Sequence, residues 1–214
     1  FPAVKVPPNL DFELTKARIK GRYEGDPKSN IGNFERVIEK RRYVLKDAAL
    51  YGLAISYFEN KDYGNANEIL SELNKKSPNN LFYVDVLADL YIATKQFDKA
   101  IAMLERLNSL MPNNQVVTLN YANVLHEAGE HEKALILLQD FLLVKPGTFI
   151  AYDLLTNIYR KQEEKALMHV AQAEVIALLG GYSRAVDELQ TAYTFADGKP
   201  LVKKRIKARI LQFQ

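Results

Sequence analysis

Prolines stand at positions 78, 112 and 146, each 34 residues after the one before. A fixed period of this length marks a chain built from repeated supersecondary units. It limits what these 214 residues can fold into more than any other feature. Aligned on the prolines, segments 47–80, 81–114 and 115–148 share Ala at the eighth position (Ala54, Ala88, Ala122) and at the twentieth (Ala66, Ala100, Ala134). The twenty-fourth position holds Leu70, Leu104 and Leu138, and the twenty-seventh Leu73, Leu107 and Phe141. Small residues let two helix axes approach closely, and large apolar residues at helical spacing fill the space between them. Each segment therefore predicts two antiparallel helices. Turn signals fall at Asn60 to Asp62, Lys95 to Asp98 and Gly129 to His131, and Asn79-Asn80, Asn113-Asn114 and Gly147-Thr148 are placed to cap the helix that follows.

Residues 11–23 and 29–43 predict two further helices, with Asp26-Pro27 as a helix start. Residues 1–46 then form a lead-in segment and a degenerate capping pair. After residue 148 the side-chain pattern changes phase. Phe149 to Tyr159 fits a first helix, but the next in-phase small position is Met168. The pattern resumes 17 residues later, with Ala173, Ile176, Ala185, Leu189 and Ala192. This predicts one inserted helix (149–165) and then a helix pair (166–199) that turns at Gly180-Gly181. A last helix (200–214) carries Val202, Ile206, Ile210 and Phe213 on one face. The expectation is an all-α chain of about eleven helices.

This pattern resembles the tetratricopeptide repeat, although Leu50, Val84 and Thr118 stand where that family carries Trp. The resemblance implies an α-solenoid of antiparallel helix pairs with a concave inner face. It also implies that positions 2, 5, 9 and 12 of each first helix line that face. The expected partner-binding residues are Tyr51, Ile55, Phe58, Phe82, Asp85, Asp89, Leu119 and Asn123, with Asn157 and Arg160 added by the inserted helix. The competing reading is that another helix of the chain, or a domain outside it, covers them. Expected partners are proteins or extended peptides. Some family members grip a carboxylate with Lys or Arg at positions 2, 5 or 6. None of the repeats has either there, which argues against a carboxylate-clamp co-chaperone.

The rest of the chain offers little chemistry. With no Cys, thiolate nucleophiles and Cys-held zinc are excluded. His126-Glu127 to Glu130-His131 imitates the H-E-x-x-H zinc motif, but its spacing is i, i+5, whereas one helix face needs i, i+4. Both imidazoles are expected to be solvated loop residues, with no metal, no cofactor and no catalytic constellation. No apolar run reaches the ~18 residues of a membrane-spanning helix. Charge is uneven: net +5 over residues 1–46, −5 over 47–148 and +3 over 149–214. The basic stretch Lys199 to Arg209 suits a solvated capping face, or peripheral contact with an anionic membrane or an acidic partner. Without interleaved aromatics it gives no case for nucleic acid.

Three stretches resemble a narrower family, the BepA-type periplasmic zinc metallopeptidases. They are the segment Pro7 to Arg18, the half-repeat insertion, and Ala171 to Leu189 followed by the basic run Lys207 to Ile210. The resemblance implies a periplasmic protein whose repeats dock unfolded outer-membrane proteins and their assembly complex. The zinc-bearing catalytic domain would lie upstream of Phe1, and the start at Phe1 rather than Met is read as the edge of a piece of that longer protein. An independent repeat scaffold or co-chaperone in secretion, pilus assembly or regulation, in the periplasm or the cytoplasm, is the other reading.

Overall fold

The structure, a computed structural model, describes residues 7–214; the opening of the lead-in segment lies outside the described residues. Among the described residues there are twelve helices and no strand, where the sequence reading expects about eleven. The first six are α1 (Leu10–Tyr23), α2 (Pro27–Glu39), α3 (Lys46–Glu59), α4 (Tyr63–Lys76), α5 (Leu81–Ala93) and α6 (Phe97–Leu110). The others are α7 (Gln115–Glu127), α8 (His131–Val144), α9 (Phe149–Lys161), α10 (Lys165–Leu178), α11 (Tyr182–Thr194) and α12 (Pro200–Phe213). The chain divides into two compact units, Phe1–Ala100 and Ile101–Gln214.

The repeat signature is the core. All the Ala residues at the eighth and twentieth positions are wholly buried, as are Leu70, Leu104 and Leu138. The turns recur with the same period: Lys61, Lys95, Gly129 and Glu163 all have positive φ and stand 34 residues apart. That spacing runs unbroken through α9 and α10, although the Ala pattern shifts there. α10 pairs with α9 before it and with α11 after it, so the change of phase lies in the side chains and not in the turns. At α10–α11 the turn is Gly180-Gly181, where Gly180 has φ 82 and a Cβ on Gly181 would lie 2.9 Å from Ile176 Cγ2.

Helix starts follow the sequence with one exception. The side chains of Asn80 and Asn114 accept from Phe82 N at 3.0 Å and Val117 N at 3.3 Å. Thr148, expected to cap α9, does not: its hydroxyl donates to Lys145 O at 2.9 Å, closing the end of the previous helix instead. Asp26 caps α2 ahead of Pro27 as expected, but α2 stops at Glu39 rather than running to residue 43. The chain turns at Arg41, whose φ is 49. Buried Asn30 donates to Lys20 O at 3.0 Å and Glu24 O at 2.6 Å, taking up carbonyls that the end of α1 leaves unpaired.

In the second unit Ala134 sits at zero exposure in a cluster with Leu125, Leu138, Phe141 and Leu155. Ala134→Leu is expected to lower stability by about 1–3 kcal/mol through overpacking. Chemical unfolding measures it, and an unchanged midpoint would contradict the assigned repeat register.

Candidate partner-binding surface

In the first unit the expected site residues meet a helix of their own chain. α1 packs along α3. Leu14, Ala17 and Gly21 of α1 are all buried, and Gly21 abuts the α3 face that carries Ile55. A Cβ at Gly21 would lie 3.0 Å from Gly52 O and 3.1 Å from Ile55 Cγ2, so the two backbones nearly touch. Tyr51 and Ile55 are wholly buried. The expectation that they line an open groove is corrected: α1, taken only as an end cap, lies over them.

Charges seal this contact. Arg18 bonds Asp85, and Arg22 donates to Glu59 at 2.8 Å and to Asp89 at 3.0 Å. At Arg22, burial works against the charge, but the hydrogen bonds and charges of Asp89 and then Glu59 outweigh it and hold its pKa above the ordinary guanidinium value. At Asp89 burial is the stronger influence and pushes the carboxyl up despite Arg22. Asp85 and Asp89 thus serve the α1 interface. Phe82 meets Tyr51 edge-on at 6.0 Å, and half-buried Phe58 packs on Tyr63 at 5.6 Å under the Arg22 guanidinium.

Burial pushes the Tyr51 phenol well above its ordinary pKa. Among the described residues, its hydroxyl and Asn74 Oδ1 are the buried side-chain polar atoms without a hydrogen-bond partner. An unsatisfied buried hydroxyl costs more than it contributes. Tyr51→Phe is therefore expected to leave stability unchanged or raise it by up to about 1 kcal/mol. A fall of that size in a thermal melt would show that the hydroxyl is bonded.

In the second unit Leu119 is 8% exposed and belongs to the core. Asn123 is half-buried. Asn157 accepts from Arg160 Nη1 at 2.6 Å, so the exposed arginine rests against its neighbour on the same helix. His126 and His131, expected to be separately solvated, are both half-buried and stand with Nδ1 atoms 3.1 Å apart.

The sequence reading missed a groove in this unit. Leu142 and Leu143 from α8, Tyr152 and Leu155 from α9, Leu167 and Val170 from α10, and Val202 and Ile206 from α12 line a cavity of ≈ 500 Å³. Leu143 is 84% exposed. Glu174, nearly buried on α10, receives both arms of Arg209, at 2.7 and 2.6 Å. That hydrogen-bonded pairing raises the Arg209 pKa despite its burial. Arg205 is exposed on the same wall. The sequence carried only local hints of its walls and not their juxtaposition. Arg205 and Arg209 flank the apolar face of α12 at i, i+4, and Glu174 is the one acid in α10.

Three other cations of the basic stretch also have partners in the chain. Lys199 pairs with Glu164 and Lys203 with Asp197, while Lys203 and Lys207 lie 4.8 and 5.3 Å from the Tyr193 ring centre. Among the described residues no helix is long and apolar enough to cross a membrane.

Comparison with known proteins fits this architecture. Residues 91–158 match the family model described as tetratricopeptide repeat, and residues 28–107 match that of anaphase-promoting complex, cyclosome, subunit 3. A protein of Vibrio cholerae serotype O1, named as a beta-barrel assembly-enhancing protease, is 36% identical over 91 residues, which are 42% of this chain. That stretch is 19% of the relative, so the match spans under a fifth of its length. The structure of PilW, a type IV pilus biogenesis factor, superposes with a TM-score of 0.64 at 13% identity, over 95% of this chain and 93% of that one. A tetratricopeptide repeat protein of Parabacteroides merdae gives 0.60 at 14% identity, over 92% and 82%. Both likenesses establish the fold alone. Repeat period, buried signature positions and family match agree: residues 91–158 carry tetratricopeptide repeats, and they lie within a chain of helix pairs that keeps the same period.

Proposed function

We propose that this chain docks protein partners through the groove between α8, α9, α10 and α12, as the interaction region of a peptidase that acts in outer-membrane protein assembly. The observation that carries the docking is the open apolar groove of ≈ 500 Å³ in the second unit. The first unit's equivalent apolar residues are already under α1. The groove's polar groups are few and sided. Glu174 is neutralised by Arg209, and Arg205 remains exposed at the wall. That balance favours an apolar segment bearing a carboxylate, held by burial and oriented by Arg205.

The assembly setting rests on the relative's name and on the resemblance of Pro7 to Arg18 and Ala171 to Leu189 to the BepA-type peptidases. Unfolded outer-membrane proteins and their assembly complex are the proposed partners, and the periplasm is the proposed compartment. The zinc-dependent chemistry belongs, in this reading, to a domain outside this chain.

The test is capture of partners from a cell-envelope extract by the chain and its variants. Leu143→Asp changes an exposed side chain and should leave the fold intact while removing an anchor worth about 2 kcal/mol or more at a hot spot. Arg205→Glu should weaken capture further, and Glu105→Ala, on exposed α6 surface, should not. Equal capture by all of these variants would reject the groove.

A further inference from the structure

We infer that His126 and His131 form a two-ligand site for a divalent transition cation of the zinc class, bridging the turn between α7 and α8. α7 ends at Glu127 and α8 starts at His131. The turn between them is tightly closed: Gly129 has φ 86, Gly129 N donates to His126 O at 3.0 Å, and Glu130 N donates to Leu125 O at 2.8 Å. This places the last turn of one helix beside the first residue of the next. The two Nδ1 atoms are 3.1 Å apart, with ring centres 5.0 Å apart and planes tilted by 46°.

That separation is the one a shared ion requires. Zinc binds imidazole nitrogen at about 2.0–2.1 Å, and two such bonds at angles between square and tetrahedral put the nitrogens about 2.9–3.4 Å apart. Imidazole suits zinc, copper and nickel, whereas magnesium and calcium prefer oxygen. Both ligands must be neutral. Without an ion, one ring carries its proton on Nδ1 and donates to the other. On binding, that proton moves to Nε2 of the same ring, so both lone pairs reach the ion with no net proton change. Among the described residues no three His, Asp or Glu side chains converge on one point. Water therefore fills the remaining positions, and the site stays open to an incoming ligand. It uses no residue of the α8–α12 groove.

The test is calorimetric titration of the untagged chain with zinc chloride, with magnesium chloride as control and a thermal melt in parallel. A saturable one-to-one isotherm and a raised melting midpoint are expected with zinc only. His126→Ala and His131→Ala should each weaken binding by about tenfold or more and cancel the thermal shift. His169→Ala should do neither, because His169 is engaged elsewhere, with Glu188 at 2.7 Å. No saturable zinc binding, binding that survives either pair variant, or equal loss with His169→Ala would overturn the site.

Discussion

Gly52→Ala is expected to destabilise the chain by about 3 kcal/mol, at the upper end of ordinary overpacking. Gly52 lies inside α3, where alanine is intrinsically the better helix former by about 1 kcal/mol, so propensity alone predicts the opposite sign. Packing decides. A Cβ at this position would stand 2.3 and 2.4 Å from Phe34 Cζ and Cε1, with Cε2 at 3.0 Å. The Phe34 ring cannot simply rotate away, since it is buried between α2 and α3 with Lys20 of α1 above it. Shrinking the ring should return part of the loss: Gly52→Ala with Phe34→Leu should be less damaging than the sum of the single changes, because the two residues share one contact. Urea unfolding of the four chains measures this. A Gly52→Ala chain that is as stable as the parent would mean that α2 does not seat on α3 as described.

Phe141→Ala should cost about 3–5 kcal/mol, the range for deleting a buried ring. Phe141 is 1% exposed and lies in the second unit's core with Leu125, Leu138 and Leu155. It occupies the twenty-seventh repeat position, where the earlier repeats use Leu73 and Leu107. The site is therefore built for a large apolar residue but not for aromaticity as such. Phe141→Leu should cost less than about 1.5 kcal/mol, as volume-tolerant swaps do. Equal losses from the two substitutions in denaturant titrations would show that ring contacts, rather than filled volume, hold α8 in place.

The repeats were legible because their information is local and periodic. Ala66, Ala100 and Ala134 declare the close helix approach by recurring at one spacing, and the positive-φ turns recur with them. What could not be read involves partners distant in sequence. Nothing in the charged string of α1 announces that Gly21 will lie against Gly52 and Ile55 of α3. The pairing of Arg18 and Arg22 with Asp85 and Asp89 spans 67 residues. The groove was missed for the same reason, since it needs α12 to return its apolar face to residues of α8, α9 and α10. The histidine pair shows a different failure. The i, i+5 spacing does exclude one helical face, but a three-residue turn between two helices brings the same residues together by another route.

In-cell photocrosslinking tests the docking groove most directly. A photoreactive amino acid is placed in turn at Leu143, Arg205, Phe58 and Glu105 of the full-length protein. Adducts with envelope proteins are expected from Leu143 and Arg205, and not from Phe58, which lies beneath Arg22, or from Glu105. Adducts from Phe58 in place of those from Leu143 and Arg205 would show that the first unit's face, and not the α8–α12 groove, receives the partner.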